Sequence, residues 1–269
     1  MNRLRVFLFV VACGMAVCSC GPRYDVYLLI GQSNMAGRGV FEQVDTLAAL
    51  DGVFLLDDKG VPVPAREPLN RYSTIRKAMH VQGMSLAHGF AEEMHARTGR
   101  RVLLVLNARG GSALEEWLPD APRGRFSDSR NEEAARRGRE MPSFYGEAVR
   151  RTLQAMKYGP LKAILWHQGE SNSSPEKSAA YLTLLQGFVA ALRQDLAVGE
   201  EVPFLAGQIQ PQHENAPYFN PVISRVGEVI PNARCVSSEA LETLPDNLHF
   251  TRASQLELGR RYAAALSGE

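Results

Sequence analysis

Short apolar runs that alternate with longer amphipathic stretches most constrain what this chain can fold into. The runs lie at residues 26–30, 102–106, 163–166, 204–208 and 233–236. Each run is too short for a helix and is followed by polar or glycine residues, as is typical of buried strands. The stretches with apolar residues at helical spacing are 84–98, 144–156, 181–196 and 253–266. The alternation predicts an α/β fold, a three-layer α/β/α sandwich in which right-handed crossovers build a central parallel sheet.

Two segments depart from this alternation. In residues 53–63, VFLLDDKGVPV, two apolar runs flank the turn residues Asp58, Lys59 and Gly60. This pattern predicts a hairpin, which we expect at an edge of the sheet. Residues 119–141 are dense in charged residues, proline and glycine. They predict a solvated surface loop with a short helix, and a substrate lid is the alternative interpretation.

The length and charge of the chain limit the classes of protein that it can belong to. Its 269 residues are 45% hydrophobic and 22% charged, which predicts a single domain over residues 20–269 with a sizeable core. Without residues 1–19, 28 basic and 29 acidic residues remain. This balance lacks the basic surplus of nucleic-acid-binding proteins, so no nucleic-acid partner is expected.

The first residues have the pattern of a targeting segment. Arg3 and Arg5 precede an apolar stretch, 6–18, of the length of a signal-peptide core and short for a membrane span. The following VCSCG, residues 17–21, resembles a bacterial lipobox, which predicts a lipoprotein signal peptide at 1–19 and lipidation of Cys20. Acyl chains on Cys20 would anchor the protein to a membrane of the bacterial cell envelope, on its periplasmic face or at the cell surface. An ordinary cleaved signal peptide is the alternative.

Polar loops follow three of the predicted strands. They are GQSN at 31–34, NARGGS at 107–112 and HQGESN at 167–172. Because the carboxyl ends of parallel strands share one edge of a sheet, where ligands gather, we expect these loops to converge. Close to the C-terminus, PDNLHFT places Asp246 three residues before His249 and just ahead of the last predicted helix.

These residues include a candidate for each role in acyl transfer, namely a nucleophile, a base, a group that orients the base, and donors for an oxyanion. Ser33 would be the nucleophile, His249 the base and Asp246 the orienting carboxylate. The oxyanion donors would be N–H groups of the same loops: Ser33, Gly110 or Gly111, and the side chain of Gln168. Taken singly, a serine here is usually a helix cap and a glycine pair a turn, so the joint pattern carries the interpretation.

The same segments resemble those of a known superfamily. GQSNM at 31–35, the Gly110, Gly111, Ser112 loop, WHQGES at 166–171 and DNLH at 246–249 resemble the SGNH hydrolases. More narrowly, they are similar to the carbohydrate esterase branch, which includes acetyl xylan esterases and the sialate O-acetylesterase domain. In that branch GQS replaces GDS, and the glutamine of HQGE stands in place of an asparagine; Gln32 and Gln168 match both features.

The resemblance implies a flavodoxin-like sandwich, a Ser33, His249 and Asp246 triad, and removal of O-acetyl groups from sugars without a metal or cofactor. In some members the glutamate of HQGE has been considered as the partner of the histidine, so Glu170 competes with Asp246, which we favour for its spacing. The residues that we expect to contact the substrate or support the catalytic groups are Gln32, Asn34, Glu170, Asn172 and Trp117.

The chemistry of the loops favours a polyhydroxylated substrate. Their polar groups include Arg38, Arg109, Asn34, Asn107, Asn172 and Glu170. An acetylated carbohydrate is therefore the expected partner, and the compact chain is nearer to the xylan-type enzymes than to the longer sialate esterases. The alternatives are a lipase or thioesterase of the same fold and a catalytically inactive, lipid-anchored glycan-binding protein. The histidines form no HExxH pattern and no pairing with cysteines, so no metal site is predicted.

Overall fold

A seven-stranded sheet forms the centre of the fold in a computed structural model that describes residues 24–122 and 141–268. Its strands are β1 (Tyr24–Gly31), β2 (Val53–Leu56), β3 (Pro62–Pro64), β4 (Arg101–Ala108), β5 (Leu161–His167), β6 (Phe204–Gly207) and β7 (Ala233–Val236). They lie in the order β3-β2-β4-β1-β5-β6-β7, and all neighbours are parallel except β2 and β3. The predicted parallel sheet and its five predicted strands are confirmed, but β7 is only partly buried because it lies at an edge of the sheet.

The predicted hairpin is also confirmed, and both of its strands belong to the main sheet. β2 and β3 pair in antiparallel fashion, and the Gly60 N–H donates to the Asp57 carbonyl within the turn. β2 pairs in parallel with β4 through Val53, Phe54 and Leu55. The hairpin therefore extends the main sheet by two strands, and β3 forms one edge of the sheet.

Helices cover both faces of the sheet, as predicted. They are α1 (Ser33–Ala36), α2 (Leu86–Thr98), α3 (Phe144–Ala155), α4 (Pro175–Asp195), α5 (Ala216–Ile223), α6 (Val226–Val229) and α7 (Arg252–Ser267). Alternate residues of the strands separate the core into two layers. In β1, Leu28 packs with α3, α4 and α5, whereas Leu29 packs with α2 and α7. Because both faces of the central strands β1, β4 and β5 are buried, each of these strands carries a continuous apolar run.

Two helical regions differ from the sequence expectation. α4 begins at Pro175, six residues before the predicted start, because Ser174 accepts a hydrogen bond from the Lys177 N–H and Pro175 suits the first helical position. α5 and α6 were not predicted. α5 is short and contains Pro217 and Pro221, residues that ordinarily end a helix rather than mark one.

The order of the strands determines where a ligand can bind. β1 lies at the centre of the strand order. Strands β2, β3 and β4 lie on one side of it, and strands β5, β6 and β7, which come later in the chain, lie on the other. Such a switch in strand order opens a crevice beyond the carboxyl ends of the strands. The residues that follow β1, β4 and β5 border that crevice.

α7 is held close to the sheet by a tight helix crossing. A Cβ on Gly89 of α2 would lie 2.1 Å from the Leu256 carbonyl oxygen, and a Cβ on Gly259 of α7 would lie 2.2 Å from the Leu86 carbonyl oxygen. Only glycine permits backbones to approach so closely. Since residues 246–249 directly precede α7, this crossing also positions the histidine loop.

Three expectations fall wholly or mainly outside the described residues: the signal peptide at 1–19, lipidation of Cys20, and the charged segment 119–141, of which only 119–122 and 141 are described. Within residues 24–122 and 141–268, no helix combines the length and the apolar character that crossing a membrane requires.

Candidate active site

An open cleft of about 760 Å³ lies at the carboxyl edge of the sheet. The three polar loops that follow β1, β4 and β5 converge on it, and the loop before α7 completes its wall. These loops contribute Gln32, Ser33, Gly110, Gly111, Glu170, Ser171 and His249. The structure therefore brings the predicted nucleophile, the predicted base and the glycine loop to one cavity.

Ser33 sits on a sharp turn between β1 and α1. Gly31 has a φ of 140°, and a Cβ at this position would lie only 2.1 Å from the His167 carbonyl oxygen. The Gln32 N–H donates to that same carbonyl at 2.9 Å, which ties the turn to the end of β5. Glycine is therefore required for the chain to turn here and present Ser33, the first residue of α1, to the cleft.

His249 and Asp246 form a hydrogen-bonded pair within one short loop. His249 Nδ1 lies 2.6 Å from Asp246 Oδ2, and Asp246 Oδ1 accepts from the backbone N–H groups of Leu248 and His249. The backbone bonds hold the carboxylate in place, so the imidazole ring is oriented with Nε2 directed away from Asp246. Within the described structure no hydrogen bond joins the Ser33 hydroxyl to His249, although both line the cleft.

The environment of this pair keeps the imidazole neutral and the carboxylate ionised. Burial lowers the pKa of His249 below its usual value, more than Asp246 raises it, and the positive charge of Arg38 lowers it further. Burial raises the pKa of Asp246, but hydrogen bonds from the backbone of His249 and Leu248 outweigh it and leave the pKa low. At neutral pH this histidine can therefore accept a proton.

Asn34 joins the serine turn to the histidine loop. Its Nδ2 donates to Glu170 Oε1 at 2.7 Å and to the Leu248 carbonyl at 3.1 Å. Its Oδ1 accepts from the Phe250 N–H and from Gln255 Nε2. Asn34 is fully buried, so it supports the site from behind and holds the residues on either side of His249 at a set distance from the serine turn.

Glu170 lines the cleft but contacts Asn34 rather than His249. Its Oε1 accepts from Asn34, while Oε2 is buried without a partner. Burial raises the pKa of Glu170 to about 7. Of the two carboxylates considered for the partner of His249, the structure brings Asp246 into contact with the imidazole.

The expectation that Gln168 supplies an oxyanion donor is corrected by the structure. Gln168 is fully buried and is not among the residues that line the cleft. Its amide nitrogen already faces three acceptors: Gln32 Oε1 at 3.2 Å, the Ser112 carbonyl at 3.2 Å and Asn172 Oδ1 at 2.8 Å. The glutamine that reaches the cleft is Gln32, which lies directly before Ser33.

Trp117 and Asn172 were expected either to contact the substrate or to support the catalytic groups, and the structure places both behind the cleft. Trp117 is fully buried, and its indole N–H donates to the Ser112 hydroxyl, so it supports the glycine loop and cannot stack on a sugar. Asn172 is 1% exposed and bonds to the Leu114 N–H, Gln168 and Glu115, so it too acts from behind the cleft. Neither residue can contact a substrate.

The glycine loop lies against the nucleophile. A Cβ on Gly110 would stand 3.5 Å from the Cβ of Ser33 and 2.4 Å from Arg38 Nη2. Gly111 has a φ of 75°, a conformation that glycine adopts without strain. Any larger residue at 110 would press into the space beside Ser33, which is where an acyl group bound to the serine would lie.

One wall of the cleft was not found by sequence reasoning. It is built by residues 38–41 and 77–83, and it brings Arg38, Lys77 and His80 to the cavity, with His213 from another loop. His80 and His213 were considered only as metal ligands. No group of three or more His, Cys, Asp or Glu side chains in 24–122 and 141–268 is placed to hold a metal ion. No spacing rule links residues 77–83 to the serine turn, and the hydrogen bond from the Gly83 N–H to the Gly37 carbonyl is seen only in the structure.

The fold is a mostly parallel sheet between helical layers, with a polar cleft at the strand ends. Residues 23–267 match the family described as carbohydrate esterase, sialic acid-specific acetylesterase, and the chain belongs to this family. Neither the identity of the sugar nor the roles of the individual side chains follow from that membership.

Relatives and solved structures agree with the assignment. The chain is 28% identical over 261 residues to a probable carbohydrate esterase of Arabidopsis thaliana, a match that covers 91% of this chain and 90% of the relative. A solved Arabidopsis thaliana structure is similar with a TM-score of 0.75 and 25% identity, over 92% of this chain and 99% of that one.

Two further structures share the fold at lower identity. The structure of NanS has a TM-score of 0.64 and 16% identity, and the match covers 92% of this chain and 98% of that one. A carbohydrate acetylesterase from Xanthomonas citri has a TM-score of 0.62 and 18% identity, over 91% of this chain and 57% of that one.

Proposed function

We propose that this chain is a serine carbohydrate O-acetylesterase that uses Ser33 as nucleophile, His249 as base and Asp246 as the group that orients the base. The observation that carries the proposal is the His249–Asp246 pair, 2.6 Å apart, on the same cleft as Ser33. Asn34 connects the two loops, so the nucleophile and the base belong to one rigid arrangement.

In the proposed reaction, His249 takes the hydroxyl proton of Ser33 as Oγ attacks the acetyl carbonyl. The tetrahedral intermediate collapses when the same histidine returns the proton to the departing sugar oxygen. Water then attacks the acetyl-enzyme with His249 again as base, and acetate and free Ser33 result. The absence of a Ser33–His249 hydrogen bond is compatible with this mechanism, since such bonds often tighten only when substrate binds.

We assign the oxyanion donors to the backbone of Ser33, the backbone of Gly110 or Gly111, and the side chain of Gln32. Ser33 is the first residue of α1, and N–H groups in the first turn of a helix have no partner inside it. Gly110 lies against Ser33. Gln32 takes the role that the sequence suggested for Gln168, because Gln32 lines the cleft and Gln168 does not.

The charge of the cleft favours an acetylated sugar that carries a carboxylate. Arg38 and Lys77 line it, and Glu170 is the single acidic residue among its described lining residues. Since burial raises the pKa of Glu170 to about 7, part of its negative charge is lost near neutral pH. O-acetylated sialic acid therefore suits the cleft better than neutral acetylated xylan, a choice that agrees with the description of the family.

We further propose that lipidated Cys20 anchors the protein in the cell envelope. The described chain begins at Tyr24, at the amino end of β1, whereas the cleft lies at the carboxyl end of the same strand. An eight-residue strand spans roughly 25 Å. An anchor four residues before β1 would thus leave the cleft facing away from the membrane. Cys20→Ser should move the full chain from the membrane fraction to the aqueous one; unchanged partitioning would contradict the anchor.

The function is tested by acetate release from O-acetylated sialic acid and from acetylated xylan, with residues 21–269 and matched variants. Ser33→Ala should abolish release, and Ser267→Ala, at the far end of α7, should leave it unchanged. Faster release from O-acetylated sialic acid than from acetylated xylan, with a smaller difference between the two in Arg38→Gln, would support the anionic substrate. No release from either glycan, or release that survives Ser33→Ala, would overturn the proposal.

A further inference from the structure

We infer that a relay of hydrogen bonds through Asn172 and Gln168 fixes the amide of Gln32 so that its N–H groups, and not its oxygen, face the cleft. The inference rests on the proposed function and concerns residues that never touch the substrate. Asn172, Gln168 and Tyr181 would be positioning residues that act through Gln32. The order of donors and acceptors along the relay determines the direction of each amide.

The relay begins at two groups whose hydrogen-bonding character cannot change. The Leu114 backbone N–H can only donate, and it lies 2.9 Å from one end of the Asn172 amide, which must therefore be the oxygen. The Glu115 carboxylate accepts from the other end at 2.8 Å, which must be the nitrogen. Both ends of Asn172 are thus defined independently and agree.

Gln168 is oriented from both sides in the same way. Its nitrogen faces Asn172 Oδ1 at 2.8 Å and the Ser112 backbone carbonyl at 3.2 Å, and both of these groups can only accept. At its other end, the Tyr181 hydroxyl lies 2.7 Å from Gln168 Oε1 and 3.0 Å from the Gln168 carbonyl oxygen. The Trp166 indole N–H donates to Tyr181 at 2.9 Å, so the hydroxyl proton is directed towards Gln168.

The last step reaches the cleft. Gln168 Nε2 lies 3.2 Å from Gln32 Oε1, so the amide oxygen of Gln32 is turned inwards and its nitrogen outwards. The reverse orientation would bring two NH₂ groups together where both side chains are at most 2% exposed, and would replace the one hydrogen bond between the two glutamines by a contact between donors. It would also turn an acceptor towards the position where the oxyanion develops.

The relay explains why the site uses two glutamines. A glutamine with free rotation of its terminal amide would present oxygen and nitrogen in turn, and only nitrogen stabilises an oxyanion. Here the buried Gln168 orients the amide of Gln32 that faces the cleft, without contributing an oxyanion donor of its own. A change at Gln168 should therefore lower the rate of the chemical step and leave substrate binding almost intact.

The test is a double-mutant cycle on Gln32→Met and Gln168→Met, substitutions that keep the length of the side chain. With acetate release from a small neutral acetate ester as readout, each single variant should lower kcat by about 100-fold, the loss typical of one oxyanion donor, with KM changed little. If Gln168 acts through Gln32, the double variant should be no slower than the slower single variant.

Losses in kcat that multiply in the double variant, or a folded Gln168→Met with the kcat of the parent, would overturn the inference. If Gln168→Met does not fold, Tyr181→Phe takes its place in the cycle, with Tyr145→Phe as control, because the Tyr145 hydroxyl bonds to Asp195 away from the cleft. Tyr181→Phe should lower kcat in the parent and not in Gln32→Met; an equal loss in both would contradict the relay.

The parent is measured first, so the two proposals fail differently. An inactive parent would overturn the proposed function and the inference with it. An active parent that loses activity in Ser33→Ala but retains its kcat in Gln32→Met would leave the function standing and overturn the relay.

Discussion

Two histidine–carboxylate pairs in this chain have nearly the same geometry and opposite electrostatics. His249 lies 2.6 Å from Asp246 on the cleft, and His88 lies 2.8 Å from Glu67 at a site that does not border the cleft. The pKa of His249 is lowered, whereas the pKa of His88 is raised to about 9. A carboxylate at Nδ1 therefore does not by itself determine whether a histidine is charged.

The difference arises at the second ring nitrogen and in the surrounding charges. For His88, burial alone would lower the pKa, but Glu67 at Nδ1 and Glu92, 3.4 Å from Nε2, together raise it. For His249, burial outweighs the contribution of Asp246, and the positive charge of Arg38 lowers the pKa further. A proton acceptor needs a neutral ring with one free nitrogen, whereas the carboxylates beside both ring nitrogens of His88 keep that ring protonated near neutral pH.

The largest effect should come from replacing each histidine by asparagine. His249→Asn should lower kcat for acetate release by about 10⁴-fold or more, because the base is lost. His88→Asn should retain kcat but reduce the free energy of unfolding by about 3 kcal/mol, since it leaves the buried Glu67 without its partner. Acetate-release kinetics and urea unfolding of both variants test these two expectations. A large loss of kcat in His88→Asn would contradict the difference in role between the two histidines.

Carboxylate replacements should separate the two candidates for the partner of His249. Asp246→Asn should lower kcat by roughly 10²- to 10⁴-fold. We expect a loss near the lower end of this range, because Asp246 is partly exposed to water. Glu170→Gln should cost less, since Glu170 bonds to Asn34 and not to the imidazole. Steady-state kinetics of the two variants decide the matter. A greater loss in Glu170→Gln would assign the orienting role to Glu170.

The pH dependence of activity and of stability should differ in direction. His249 must be neutral to act as base, so kcat/KM should rise with pH through an apparent pKa below 6.5 and then stay level. The pKa of His88 is raised above its unfolded value of about 6.5. Its stabilisation is therefore complete below pH 6.5 and is lost as the pH rises through about 9.

Unfolding measured from pH 6 to pH 10 tests the second half of this prediction, with His88→Asn as the reference. The stability difference between the parent and this variant should shrink across that range. A constant difference, or an acid limb of kcat/KM above pH 6.5, would show that the two histidines do not differ as described.

The smallest effect should come from the charges that surround each pair. Arg38→Gln should move the acid limb of kcat/KM to higher pH by a fraction of a pH unit, because it removes a positive charge that lowers the pKa of His249. Glu92→Gln should lower the pKa of His88 and bring its loss of stabilisation to lower pH. A small neutral acetate ester is the substrate for Arg38→Gln, so that binding of an anionic sugar does not mask the shift.

Sequence reasoning reached the strands and the catalytic groups because both leave local signals. Strands buried on two faces carry uninterrupted apolar runs, as residues 26–30 of β1 and 102–106 of β4 do. Asp246 and His249 stand three residues apart, so one loop can bring them together. The glycine at 31 and the serine at 33 are likewise defined by a single turn.

The remaining features depend on contacts between distant segments. Gln32 and Gln168 both follow strands and are chemically identical, and only the packing of Gln168 beneath the Ser112 carbonyl shows which one reaches the cleft. Trp117 carries no periodic pattern that separates a buried position from a rim position. The wall at 77–83 is positioned by backbone hydrogen bonds that Gly83 and Met84 make with residues 37–39, which no local pattern predicts.

The central claim is that His249 activates Ser33 as the nucleophile, and active-site labelling tests it most directly. The purified chain is treated with a fluorophosphonate, which bonds covalently to activated serines, and the modified peptide is identified by mass spectrometry. We predict one label per chain, on Ser33, with none in Ser33→Ala and strongly slowed labelling in His249→Asn. A label on another residue, or labelling of Ser33→Ala as fast as that of the parent, would contradict the account.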